Sequence, residues 1–284
     1  MVSVIILTYN HKAYIAQALN SVLMQETDFA YEILIGDDAS SDGTSDIVRV
    51  YAQKCPKIIQ AYIRKQNLGA TRNLYDLLKR ARGKYIASCE GDDFWSDPKK
   101  LQIQVDFLEG NPKYSGCAHT VQVVDENGAP LGSEPKWICQ KERYTLKDFK
   151  GIYLPGQPAS LVHKNFCQDK SHSYSIIYQA NPMIADRTIA LILVLEGPVY
   201  RMERKMSCYR RHEGNRGQNV TAVFFQNNCH VNRMQLEFTR RLEHYAKEEF
   251  GIHISFTRFK LEQLIKAAVK TVLRAISSIW RRHR

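Results

Sequence analysis

Apolar positions in the first third of the chain come in two alternating rhythms. Val2-Ser3-Val4-Ile5-Ile6-Leu7 is a nearly continuous apolar run of strand length, as expected for a strand covered on both faces. From Tyr14 the spacing turns helical, through Ala18 and Val22, to about Met24. Tyr31–Ile35 reads as a second strand, and Ile47, Val48 and Tyr51 carry a second helix behind the turn Ser41-Asp42-Gly43. A third strand spans Ile58–Ile63, and a third helix runs from about Ala70 to Ala81, stopped at Gly83. Tyr85–Cys89 is the fourth strand, and Asp97-Pro98 is expected to cap a fourth helix with Leu101, Val105 and Leu108 on one face. Strand and helix thus alternate four times, which predicts an α/β fold with a mostly parallel sheet and helices on both faces.

The polar residues fall at the carboxyl ends of these strands, where open α/β sheets bind ligands. Thr8-Tyr9-Asn10 follows the first strand, Asp37-Asp38 the second, and Glu90-Gly91-Asp92-Asp93 the fourth. Taken singly, each cluster is ordinary loop polarity. Three at one sheet edge define a site. Three carboxylates within four positions repel one another unless a cation sits among them. Oxygen ligands suit Mg²⁺ or Mn²⁺, which take one or two protein carboxylates and leave other positions to phosphate oxygens. The expectation is therefore a metal-diphosphate site at the end of the Tyr85 strand.

Two other α/β chemistries lack their signatures. No GxxxxGK[ST] is present, which argues against a P-loop NTPase, and no GxGxxG follows the first strand, which argues against a dinucleotide dehydrogenase. The composition, 44% hydrophobic and 24% charged, is that of an ordinary globular protein. Seven cysteines without a CxxC pair predict reduced thiols in the cytosol, not a disulfide frame or zinc site. The Ile189–Leu195 apolar run is too short to cross a bilayer, and Met1–Leu7 reads as a strand, not a signal peptide. The net charge of +11 is concentrated late: from Arg258 onward there are eight Lys/Arg and one Glu. It does not by itself point to nucleic acid.

Val2–Asn10, Asp37–Thr44 and Glu90–Asp93, in this order, resemble the family 2 glycosyltransferases of GT-A fold, with a flavour of bacterial surface-glycan assembly. The resemblance continues through Lys100-Leu101-Gln102 to Tyr209-Arg210-Arg211-His212, about three quarters of the chain. Leu7 stands where many members carry proline, and Ala39 where glycine is common. The resemblance implies a nucleotide-sugar donor, UDP-sugar foremost, a glycan or lipid-linked acceptor, and Mn²⁺ or Mg²⁺ as cofactor. Tyr9 would stack on the base with Thr8 beside it, and Asp38 would accept a hydrogen bond from the base while Asp37 holds the loop. Asp93 would be the direct metal ligand, with Asp92 on the ribose or a metal-bound water and Glu90 behind them. Asn67 and Arg72 sit where the family places a loop over the donor, although a plain surface arginine would look the same.

In the second half, Asp186 matches the family's catalytic base at the start of a helix. There it would deprotonate the acceptor hydroxyl as it attacks the anomeric carbon, giving inversion. A helix N-cap is the alternative role. Arg210 or Arg211 would offset charge on the departing nucleotide, His212 would complete the metal shell or lie in a surface loop, and Leu154–Ser160 would form part of the acceptor floor. These readings divide the chain into a GT-A domain over 1–230, with a donor half (1–115) and an acceptor half (116–230), and a basic helical extension over 231–284.

That extension carries an apolar stripe from Leu261 to Trp280 opposite Lys266, Lys270, Arg274, Arg281 and Arg282. It reads as an interfacial anchor that would hold the enzyme at the inner face of the cell membrane; docking on the domain or on another chain is the alternative. Two other functions share the layout: a metal-dependent nucleotidyltransferase, which would need a basic, Gly-rich loop after the first strand, and a non-catalytic membrane- or glycan-binding module.

Overall fold

The computed structural model describes residues 1–212, 229–262, 264–265 and 268–269. The chain forms two compact units, Met1–His212 and Glu213–Arg284. In the first unit the expected alternation is present: β1 (Val2–Thr8), α1 (Ile15–Leu23), β2 (Tyr31–Asp37), α2 (Thr44–Lys54), β3 (Ile59–Ile63), α3 (Ala70–Arg80), β4 (Tyr85–Glu90) and, after a two-residue β5 (Phe94–Trp95), α4 (Lys100–Gly110). The second half supplies β6 (Gly116–Val124), β7 (Arg143–Tyr144), α5 (Leu146–Phe149), β8 (Val162–Lys164), α6 (Ile176–Gln179), α7 (Asp186–Glu196) and β9 (Val199–Arg210).

Among the described residues the strands form one sheet in the order β3-β2-β1-β4-β8-β6-β9-β5, with β7 also paired to β9. The four early strands are all parallel. β8 then runs antiparallel to both β4 and β6, β9 parallel to β6, and β5 and β7 antiparallel to β9. Helix crossovers of a dozen residues or more permit the parallel pairs of the first half.

Side-chain alternation assigns the faces of the central strands. Val4 and Ile6 of β1, with Ala87 and Cys89 of β4, enter a core that also contains Ile15 and Leu19 of α1 and Leu101 and Leu108 of α4. Each fully buried large side chain there stabilises the fold by roughly 1.5–3 kcal/mol. Ile5, Leu7, Ser88 and Glu90 face the other way, in register as Ile5–Ser88 and Leu7–Glu90.

α4 begins later than Asp97-Pro98 suggests. Its N-cap is Lys99, without a side-chain cap, because Asp97 is engaged in the preceding turn. There Asp97 accepts from the Lys99 amide at 2.9 Å and from Arg204 Nε at 2.7 Å, while the Pro98 carbonyl accepts from the Glu26 amide at 2.8 Å.

In the second unit α8 (Cys229–Phe250) is followed by helical residues 257–262, 264–265 and 268–269. Glu243 of α8 accepts from the Phe256 amide and from Lys260 Nζ, at 2.6 and 2.8 Å, and ties the following segment back onto the helix. Leu261, Leu264, Ile265 and Val269 of the expected stripe are exposed. The remainder of that stripe, Val272 to Trp280, lies outside the described residues. No described helix is long and apolar enough to cross a membrane.

Candidate active site

The carboxyl ends of β1, β2 and β4 are held in register, Thr8 beside Asp37 and Leu7 beside Glu90, so the three polar clusters meet at one edge. The loops after β1 and β2 are bolted together. The Asp38 amide donates to Thr8 O at 3.0 Å, Asn10 N to Ser40 Oγ and Ser41 N to Asn10 Oδ1, both at 2.9 Å. Asn10 and Ala39 adopt positive φ, 56° and 64°. Asparagine tolerates this conformation, and alanine departs there from the glycine common in the family. Tyr9 remains 47% exposed at the tip, with its ring open to a stacking partner.

Asp37 and Asp38 hold different segments. Asp37 is wholly buried and accepts from the hydroxyls of Ser40 and Ser45. The Asp38 carboxylate accepts from the backbone amides of Leu68 and Gly69, at 2.7 and 2.9 Å. It therefore anchors the Asn67-Leu68-Gly69 loop, where the Asn67 side chain also accepts from the Gly69 amide at 3.0 Å. Arg72, exposed in the first turn of α3, lies over the Tyr178 ring at 5.5 Å.

Beyond β4 the chain turns sharply at Gly91. A Cβ there would fall 2.6 Å from Thr8 Oγ1 and 2.8 Å from His11 Nδ1, so the two tips approach closely only because residue 91 is glycine. Asp93 is 1% exposed; its Oδ1 accepts from the Arg210 amide at 2.8 Å, while Oδ2 is buried without a hydrogen-bond partner. Burial and the neighbouring Asp92 push its carboxyl well above the ordinary range, against the pull of Arg210. Burial also raises Asp92, but the hydrogen bond from His212 Nε2 at 3.0 Å and the nearby His11 outweigh it and leave Asp92 lowered. His212 is correspondingly raised by Asp92. Glu90 is driven well above its usual value by burial and then by Asp93, Asp92 and Asp186.

Such crowding is what a cation relieves, and Asp93 Oδ2 is a buried oxygen with an open acceptor position. The donor set therefore fits a hard divalent ion held by one or two carboxylates. Among the described residues no three His, Cys, Asp or Glu side chains form a larger ligand group.

Arg210 and Arg211 part company at the end of β9. Arg210 is 3% exposed and its guanidinium is fully used: Nε donates to Asp92 O, Nη1 to Asp125 O and Glu126 O, and Nη2 to Gln17 Oε1, at 2.8, 3.2, 2.7 and 2.7 Å. It also lies over the rings of Tyr14 and Phe94. Arg211 is exposed. His11, Tyr14, Gln17 and Glu126 belong to this cluster by tertiary contact, and no spacing in the sequence marks them.

Asp186 is the first residue of α7, whose N-cap is Ala185; no side-chain cap bond forms, so the N-cap alternative does not describe it. It lines a cavity together with Glu90, Leu154, Pro155 and Gly156. The second half thus brings a carboxylate and the Leu154 segment to the edge that carries Asp92 and Asp93. Burial raises the Asp186 carboxyl to about 6.

The model for the family described as Glycosyl transferase family 2 matches residues 3–169. An uncharacterized protein of Mycobacterium tuberculosis is 34% identical over 216 residues, 74% of this chain and 58% of the relative. The putative teichuronic acid biosynthesis glycosyltransferase TuaG of Bacillus subtilis is 35% identical over 149 residues, 52% of this chain and 56% of the relative. The chain thus spans less than two thirds of the length of these curated relatives. The crystal structure of S. aureus TarS with UDP-GlcNAc shares the fold at a TM-score of 0.60, with 18% identity over 89% of this chain and 73% of that one.

Proposed function

The chain belongs to glycosyl transferase family 2, and on that premise we propose that it moves a sugar, with inversion, from a UDP-sugar to a glycan or lipid-linked acceptor of a surface polysaccharide. The observation that carries this reading is one convergence: the unpartnered buried oxygen of Asp93 and the half-buried carboxylate of Asp186 serve the same sheet edge. Tyr9 and the loop held by Asp38 bind the nucleoside, with Thr8, Asn67 and Arg72 around it. Asp93 and Asp92, with His212 beside them, are the residues that would hold Mn²⁺ or Mg²⁺. What the ion supplies when bound is neutralisation of charge on the diphosphate. Arg211, exposed next to this group, offers a second positive charge to the departing nucleotide. Asp186 removes the proton from the acceptor hydroxyl on the face opposite the leaving group. TuaG, named for teichuronic acid biosynthesis, supports a surface-polymer acceptor. The basic stripe after Leu261 supports work at the cytoplasmic face of the membrane, and the six described free cysteines support a reducing compartment.

The test is to incubate purified protein with UDP-sugars and Mn²⁺ and follow thermal unfolding and product release. UDP at a hundred times its dissociation constant stabilises a protein that binds it by about 2.7 kcal/mol. That corresponds to a rise in midpoint of roughly 5–10 °C for a unit of this size. The rise is expected only with the metal, and UDP is the expected product. Pyrophosphate release from a nucleoside triphosphate would instead establish a nucleotidyltransferase, and UDP binding without turnover a binding module.

A pH dependence follows from Asp186. Its carboxylate accepts a proton only when ionised, and its raised value of about 6 places that change just below neutrality. Transfer at saturating donor and metal is expected to be level above about pH 7. Below pH 6 it falls about tenfold per unit as the base is protonated. A flat profile from pH 5 to 8 would remove Asp186 from this role.

A further inference from the structure

The cavity at Asp186 extends down the sheet face opposite the main core. Its floor is the four-residue patch Ile5, Leu7, Ser88 and Glu90, and Ile189 and Ala190 of α7 lie across it. Leu7, Ser88 and Glu90 are only half-buried, whereas Ile6, Ala87 and Cys89, which point to the other face, are fully buried. The exposure on this face is therefore to the cavity. Glu90 sits at the strand tip and Asp186 at the helix start. Ser88 and Ile5 lie two residues further in, about 7 Å deeper along the strand.

Shape and chemistry grade along the cavity from carboxylates at the tip, through one hydroxyl, to Ile5, Leu74, Leu161 and Ala190, with the buried His163 ring among them. Its volume is about 50 Å³. An apolar cavity of about 150 Å³ admits benzene, so one of this size admits a group of two or three heavy atoms, not a sugar ring. An inserted hydroxymethyl or hydroxyl would lose its water among aliphatic side chains, at a cost of about 1–3 kcal/mol.

The position of the cavity identifies what reaches it. On the reading above, the transferred sugar has its anomeric carbon between the diphosphate at Asp92 and Asp93 and the acceptor activated by Asp186. A substituent of that ring is the part of the substrate that faces the gap between Glu90 and Asp186. We propose that this cavity receives the acetamido group of an N-acetylated transferred sugar. The three heavy atoms of the acetyl unit fill it, with the methyl among the aliphatic side chains. The amide N–H donates to a carboxylate at the tip, and the Ser88 hydroxyl donates to the carbonyl oxygen. The proposal rests on the glycosyltransferase reading and names its donor class.

The experiment measures Mn²⁺-dependent binding of UDP, UDP-GlcNAc, UDP-glucosamine and UDP-glucose by calorimetry, with dTDP-6-deoxyglucose and dTDP-glucose as a second pair. A group that fills an apolar pocket is worth roughly 10- to 200-fold. UDP-GlcNAc is therefore expected to bind at least tenfold tighter than UDP-glucosamine and UDP-glucose, with no preference in the deoxy pair. Ala190→Leu, which places a larger side chain in the cavity, is expected to erase the difference. Equal binding of the three UDP-sugars by the wild-type protein would overturn the proposal, whatever the variant does. A preference confined to the deoxy pair would also overturn it and assign the cavity to a C6 methyl. If UDP itself fails to bind with Mn²⁺, the underlying glycosyltransferase reading fails first, which is a distinct result.

Discussion

Replacing Asp186 with asparagine is expected to lower the transfer rate about 100- to 10,000-fold, the range over which a positioned general base contributes, while leaving UDP and Mn²⁺ binding in place. The side chain is the first residue of α7, half-buried, and makes no capping bond. Asparagine has the same shape, so the fold should lose only the favourable placement of an anion at a helix N-terminus, about 0.3–1 kcal/mol. What disappears is the only proton acceptor of the pair that is poised for the task. Burial holds Asp186 at about 6, so it is ionised at neutral pH yet basic enough to take a proton. Glu90, lining the same cavity, is driven well above its usual range by burial and by three neighbouring carboxylates and does not substitute as base. The variant should also lose the acid limb of the pH profile, since that limb belongs to the removed group. Single-turnover transfer, alongside calorimetry of UDP with Mn²⁺, separates the two effects. A variant that binds UDP normally and transfers at the wild-type rate would place the base elsewhere.

The first half of the fold was legible because its strands are five to seven residues long, β1 and β2 buried on both faces, and separated by amphipathic helices. A period of 2 or 3.6 has room to repeat there. β5 and β7 have two residues each and β8 three, so they contain no period to detect. They are strands only because long β9 and β4 offer them edges. The site divides along the same line. Tyr9, Asp92 and Asp93 stood out as candidates because strand ends mark them, and Asp186 because the family resemblance does. Asp38 was legible as a candidate, but its two bonds to the Leu68 and Gly69 amides depend on where the loop before α3 comes to rest. His11, Gln17 and Glu126 were invisible for a stronger reason: their partners, Asp92, Arg210 and His212, lie 81 to 193 residues away.

Arg210 shows what such long-range partners decide. Arg210→Met is expected to lower the stability of the first unit by about 1–3 kcal/mol, the cost of leaving acceptors without their donor. It should also abolish Mn²⁺-dependent UDP binding. The guanidinium supplies donors to three backbone carbonyls and the Gln17 side chain, and one of those carbonyls belongs to Asp92. Its backbone amide holds Asp93 Oδ1. Methionine keeps that amide bond and most of the side-chain volume, but removes the donor from four partly buried acceptors, so the 91–93 turn loses the frame that aims Asp93. Lysine is expected not to rescue it, because one ammonium cannot span acceptors that the planar fork reaches together. A residue whose work was to meet the diphosphate would behave oppositely: lysine would restore much of the binding, and the unfolding midpoint would not move. That second pattern is expected of Arg211, which alternation along the chain turns outward. Arg211→Ala should change stability by less than about 0.5 kcal/mol and weaken UDP binding severalfold. Thermal unfolding with and without UDP and Mn²⁺, run on the four proteins together, separates the strut from the contact. An Arg210→Lys protein with wild-type stability and UDP affinity would reverse the assignment of the two arginines.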